Sequence, residues 1–153
     1  MEPMEKRMKS FHRILSYVLI VLLLAACAPR ATETPIFQGD NSYAPQSGDS
    51  DLTAGDITVD SSSVFMAESD PPQLMVNFNY FPPTPCYQLR VEVSGPDDEN
   101  QIDLKAYGVA EKDKPCALMA LATPLQASLN LGSLPRGHYK VLLNGEQIGE
   151  FDS

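Results

Sequence analysis

Basic side chains are scarce in this 153-residue chain: 11 lysines and arginines face 20 aspartates and glutamates, a formal charge of −9. Lys6, Arg7, Lys9 and Arg13, with Glu2 and Glu5, sit at the start, so beyond residue 26 the chain carries 18 acidic against 7 basic residues, a charge of −11. Such a surface repels phosphate backbones and anionic headgroups, which excludes nucleic acid as a partner. Histidine is as sparse: His138 is the only one after His12. Three cysteines without C-x-x-C spacing leave too few soft ligands for a tetrahedral metal site. No G-x-S-x-G, no H-E-x-x-H and no phosphate-cradling glycine loop occurs. No cofactor, no metal and no catalytic machinery are therefore expected. A membrane-spanning helix is excluded too, because the apolar run at residues 14–26 falls short of the roughly 20 residues that crossing requires.

A basic start, a short apolar core and small residues before a cut site are what a secretory signal peptide needs. Residues 1–26 supply all three. The segment Leu24-Ala25-Ala26-Cys27 resembles the lipobox of bacterial lipoproteins. That resemblance implies that the Cys27 thiol is diacylated and that Cys27 becomes the new N-terminus. Each buried methylene contributes about 0.8 kcal/mol, so two acyl chains hold firmly where one anchors marginally. It further implies a cell-envelope protein, held to the membrane through lipid on Cys27 with the remainder extracytoplasmic. Ala28, in place of an aspartate, carries no sign of inner-membrane retention by the family's sorting rules.

Two compositional zones follow. Residues 28–55 are rich in Pro, Thr, Ser, Gly, Gln and Asp without a sustained apolar period. Such a stretch buries too little apolar surface to offset its ordering entropy. Residues 27–55 therefore read as the lipidated cysteine and a flexible linker with an r.m.s. reach of about 30 Å. Ile36, Phe37 and Tyr43 offer an alternative, a short docking segment for a partner.

From residue 56 to 153 the period becomes two. Leu74, Val76, Phe78 and Tyr80 alternate with polar or smaller residues, as do Leu89, Val91 and Val93; Ile102, Leu104 and Ala106; Leu125, Ala127, Leu129 and Leu131; and Tyr139, Val141 and Leu143. Ile57 and Val59, then Val64 and Met66, supply opening strands, and Ile148 with Phe151 a closing one. Turn residues punctuate the runs at Asp70-Pro71-Pro72, Gly95-Pro96-Asp97-Asp98 and Asn144-Gly145, the last favoured in tight hairpins because both residues tolerate positive φ. A helical turn fits only residues 117–122, stopped by Pro124. About seven short strands in just under 100 residues predict an all-β, antiparallel sandwich. Leu134-Pro135-Arg136-Gly137-His138-Tyr139 resembles the L-x-P-G-x-Y turn of fibronectin-type and other immunoglobulin-like domains, with the proline one place early and the tryptophan absent. The resemblance implies a tyrosine corner built from Leu134, Gly137 and Tyr139, the Tyr139 hydroxyl bonding a backbone group a few residues upstream.

Cys86 and Cys116 remain for the domain. Outside the cytoplasm an even pair in a small β domain is most simply a disulfide. Closing a loop of about 30 residues stabilises the fold by roughly 3 to 4 kcal/mol on the chain-entropy model. It would pin the Pro-rich loop before the Leu89 strand to the loop after the Gly108 strand. The acidic run Asp97-Asp98-Glu99 with Asn100 reads as a solvated turn over a calcium site, because EF-hand spacing is missing. His138, next to Tyr139 on a strand, is expected to point to the opposite side, towards solvent.

These residues point to a monomeric, non-catalytic immunoglobulin-like module that meets an unidentified protein or cell-envelope partner. The alternatives are an envelope or extracellular protease inhibitor, using residues 82–85 and 111–115, and a small hydrolase built on His138.

Overall fold

Alternating apolar residues become strands here because one face of each can be buried. A computed structural model describes residues 39–116 and 121–153. The expected signal peptide, Cys27 and the expected linker as far as residue 38 lie outside the described residues, as does 117–120, most of the expected helical turn.

The described residues form β1 (Leu52–Gly55), β2 (Thr58–Ala67), β3 (Gln73–Phe81), β4 (Gln88–Ser94), β5 (Gln101–Glu111), β6 (Leu125–Gly132), β7 (His138–Leu143) and β8 (Glu146–Asp152). The eighth strand, beyond the seven or so expected, comes from β1, inside the stretch read as linker. One sheet has the order β2-β3-β6; the other contains β4, β5, β7 and β8, with β1. Leu74, Val76, Phe78 and Tyr80 of β3 and Ala127, Leu129 and Leu131 of β6 face Val91, Ile102, Leu104, Val141 and Leu143 of the opposite sheet in a single core. Leu125, expected inward, is 41% exposed, at the end of its strand. The protein is thus an all-β sandwich.

All strand pairs are antiparallel except β5 with β7, which run parallel from Gln101↔Lys140 to Leu104↔Leu143. The chain leaves β5, crosses to the opposite sheet as β6, and returns as β7 in the direction of β5. One flank of β5 pairs with β4 throughout residues 103–109. The other flank is divided: β7 takes 101–104 and β1 takes 108–111. Between them lies Ala106, whose backbone groups need partners because buried amides rarely go unpaired. The Asn144 side chain supplies both. Its Oδ1 accepts from Ala106 N at 2.7 Å and its Nδ2 donates to Ala106 O at 3.0 Å. Asn144 and Gly145 both have positive φ, 52° and 84°, as a tight turn requires. The turn residue therefore also extends the sheet.

The sandwich is closed at both sides. Where β2 meets β8, a Cβ added to Gly149 would fall 2.9 Å from Val64 Cβ, so the approach needs glycine. On the other side, residues 40–43 form a strap between the sheets. Asn130 N of β6 donates to Asp40 O at 3.4 Å, and Val91 N of β4 donates to Tyr43 O at 2.8 Å. Asn41 Nδ2 adds a bond to Val91 O at 2.9 Å, and Tyr43 packs against the core. This corrects the reading of the whole of 27–55 as flexible linker: backbone hydrogen bonds hold 40–43 and 52–55, and Arg90 holds Asp49, contacts that leave no apolar period to read. Tyr43 docks on its own domain.

Replacing Asn144 with glycine keeps the turn conformation and deletes both bonds to Ala106. At about 0.5 to 1.5 kcal/mol per hydrogen bond, urea unfolding should show a loss of about 1 to 3 kcal/mol. Asn144→Asp, which retains the acceptor alone, should fall between. Equal stability of Asn144→Gly and wild type would contradict this account of the β5 flank.

Candidate functional site

The β4–β5 hairpin is fastened at both ends. At its turn, Asp97 Oδ1 accepts from Glu99 N at 2.9 Å and from Gln101 N at 2.8 Å, while Asn100 adopts φ 57°. The Asp97 carboxylate is spent on the backbone, an Asx-type turn. At the open end, Cys86 just before β4 is bonded to Cys116 beyond β5, with Cα atoms 6.1 Å apart. The two loops that the sequence singled out, 82–85 and 111–115, thereby meet at one rim. Thr84 Oγ1 lies 3.1 Å from Cys116 Sγ, and Tyr87 N closes a turn onto Thr84 O at 3.2 Å. Lys114 pairs with Glu111 at 2.9 Å, but both are well exposed, and such pairs contribute little.

Tyr87 explains why this rim holds its shape. Gly55 of β1 and Gly108 of β5 are register partners. A Cβ on either would fall 2.7 or 2.9 Å from the Tyr87 ring. The paired glycines make a flat seat for the aromatic ring, and alanine at either position would displace it.

Arg90 and Asp49 hold the third wall. Arg90 is 5% exposed, the one charged residue in the core of the described domain. Its Nε and Nη2 donate to the two carboxylate oxygens of Asp49 at 2.8 and 3.0 Å, and its Nη1 donates to Leu89 O at 3.0 Å. A planar guanidinium matches a carboxylate in this two-point fashion. Asp49 opens a short 3-10 turn, Asp49–Asp51, and also accepts from Gln46 N at 2.7 Å. The result is a cleft of about 640 Å³ lined by Gln46, Thr53, Tyr87, Arg90 and Lys112 among others, with the disulfide at its side. Both charges of the buried pair face each other, so the cleft presents shape and rim polarity. The visible signal for this pair was Arg90 itself, a lone charge between the core residues Leu89 and Val91.

The remaining residues lie apart from the cleft. The Tyr139 hydroxyl donates to Pro135 O at 3.0 Å, four residues upstream. Gly137 lets the ring approach, since a Cβ there would sit 3.2 Å from Tyr139 Cε2, and Leu134 packs against the core. Phe151 stacks on the ring at 5.5 Å. His138 is exposed on the other side of β7, its Nδ1 2.9 Å from Asp152 Oδ1 and its Nε2 4.0 Å from Glu150 Oε2. Both nitrogens face carboxylates, and the nearby Ser153 hydroxyl is committed to Leu134 O at 3.0 Å. Among the described residues no three His, Cys, Asp or Glu side chains converge as metal ligands, and no helix is long and apolar enough to cross a membrane.

The hydrogen bonds from Arg90, and next that from Gln46 N, hold the Asp49 carboxyl below its ordinary range. A depressed folded-state value means that the pair's contribution is complete above the unfolded value, about 3.9, and is lost as pH falls through the folded one. Thermal melts of wild type should therefore decline through acid pH more steeply than those of Asp49→Asn; parallel curves would show that the pair has no such linkage. Tyr139→Phe should cost about 0.5 to 1.5 kcal/mol with the fold unchanged, and His138→Ala much less. Equal large losses would contradict the burial described for this turn.

A family model described as the ORF11 beta-sandwich domain matches residues 75–153, slightly over half of the chain. The match takes in β4 to β8 and most of β3. It leaves the strap, the Asp49 turn, β1 and β2 outside, so the cleft is assembled from both parts. No curated protein and no solved structure matches the chain. The protein belongs to the ORF11 beta-sandwich domain family.

Proposed function

We propose that this protein is a lipid-anchored extracytoplasmic lipoprotein whose sandwich serves as a non-catalytic binding module. The anchor reading is supported by the basic start, the apolar core and Leu24-Ala25-Ala26-Cys27. A disulfide in the domain fits an oxidising compartment. The Tyr139 bond to Pro135 favours an immunoglobulin-like kinship within the sandwich class, with the parallel β5/β7 pair as a local variation.

The observation that carries the binding reading is the Cys86–Cys116 disulfide in the lining of the cleft. Loops held before contact are not ordered during it, and that entropy saving is what preorganised binders exploit. The groups from which a catalytic site would be assembled are engaged in holding the fold: Asp97 in its turn, Arg90 with Asp49, the two cysteines with each other. A protease-inhibitor role is a second reading, favoured by loops 82–85 and 111–115 flanking one disulfide.

The full chain, expressed in a bacterium that processes lipoproteins, should take up a fatty-acid probe and partition into detergent, and Cys27→Ser should lose both. Persistent labelling of the variant would remove the anchor. Assays against ester, peptide, glycoside and phosphoester substrates should show no turnover, and turnover abolished by His138→Ala would replace the binding module with a hydrolase. Stoichiometric suppression of an added protease would select the inhibitor role.

A further inference from the structure

We infer that the outer face of the β2-β3-β6 sheet is a second binding surface, for an uncharged, extended polysaccharide chain. The inference goes beyond the cleft and shares with the preceding reading only the premise that the module binds.

Alternation sends Val76, Phe78 and Leu129 into the core, and register then lines up the residues between them in rows across three strands. Ser63, Asn77 and Ser128 form one row, and Ser61, Asn79 and Gln126 the next. Asn79 Nδ2 donates to Ser61 Oγ at 2.9 Å, which places both on the same face. The three strands contain a single charged residue, Asp60, at the β2 bulge between Val59 and Ser61. The opposite sheet carries Glu92, Asp103, Lys105, Lys140 and Glu150 on its strands, outside the core. Exposed sheet faces normally carry charge for solubility and to prevent unwanted pairing. In a chain of −9, a face made of amides and hydroxyls matches a neutral ligand and offers nothing to an ionic one.

The chemistry of the face specifies the ligand further. A side-chain amide offers a donor and an acceptor together, which match adjacent hydroxyls on a sugar ring. Asn77, in the middle row, is half-buried; its Oδ1 is covered by its surroundings and has no hydrogen-bond partner. A buried acceptor without a partner is costly, and turning the Asn77 amide outward onto a ligand hydroxyl would relieve it. Apolar groups bracket the polar rows: Phe65, 45% exposed, pairs with Met75 at one end, and Phe81 stands at the other. Flat rings take the C–H face of a sugar. Six residues separate Met75 from Phe81, about 20 Å along a strand, and three strands span about 10 Å. A long, narrow strip fits an extended chain lying along the strands.

The test measures binding of the full chain, in mild detergent, to hydroxyethylcellulose, to laminarin and to heparin at low and high salt. Saturable binding to a neutral polysaccharide, changed less than about twofold by salt, is expected. The double variant Asn77→Ala/Asn79→Ala and the single variant Phe65→Ala should each weaken it about tenfold, the equivalent of about 1.4 kcal/mol. Gln126→Lys, on an exposed position where packing is not disturbed, should weaken it as well and serves if the amide variants fail to fold. Binding to neither neutral polysaccharide overturns the inference, as does neutral binding indifferent to these variants. Binding to heparin alone, lost at high salt, or dimerisation abolished by Phe65→Ala without glycan binding, overturns it equally. Fatty-acid labelling at Cys27 is read separately, so a failed face and a failed anchor remain distinguishable.

Discussion

Strand β5 presents hydrogen-bonding groups along two flanks over its 11 residues, and the satisfaction of those groups places most of the other elements. One flank takes β4, its hairpin partner. The second needs three different partners: β7 in parallel, the Asn144 amide beside Ala106, and β1 in antiparallel. Because buried backbone groups are almost always paired, the position of β7 fixes the turn that must deliver Asn144. The length left over fixes where β1 docks. β8 then follows β7, and its contact with β2 at Gly149 and Val64 joins the sheets along one side.

The other side depends on polar contacts between residues distant in sequence. Asn41 and Tyr43 attach to Val91, and Asp49 clasps Arg90, 41 residues away. These contacts turn a stretch of turn-forming composition into the third wall of a cleft. The disulfide opposite restrains the unfolded chain by closing a loop with a sequence separation of 30, and in the folded state it fixes the loops beside Tyr87. Arg90 is buried, so removing Asp49 would strand its charge.

The two sheets differ in charge, and this asymmetry gives the molecule two kinds of surface. Glu92 bonds the Tyr107 hydroxyl at 3.0 Å and pairs with Lys105 at 3.6 Å on the outside of the β5 sheet. The β2-β3-β6 face replaces such contacts with Ser, Asn and Gln. The cleft lies at the end of the β5 sheet and the neutral strip on the outside of the β2-β3-β6 sheet.

Hydrophobic alternation in the chain was enough to define the inward faces of β3 to β7, Leu125 at the end of β6 excepted, because a period of two depends only on local geometry. The disulfide was legible too, because Cys86 and Cys116 are the two of the three cysteines that lie within the alternating region, and Asn144-Gly145 defined its turn through the need for positive φ. The parallel β5/β7 pair, the strap at residues 40–43, the Asn144 bonds to Ala106 and the Arg90–Asp49 clasp were settled by tertiary structure. Each joins segments far apart in sequence, where closure entropy grows slowly with loop length and so discriminates weakly among partners. The neutral face belongs with these: Ser61, Asn79 and Gln126 are unremarkable in three separate strands, and become one surface only when register sets them side by side.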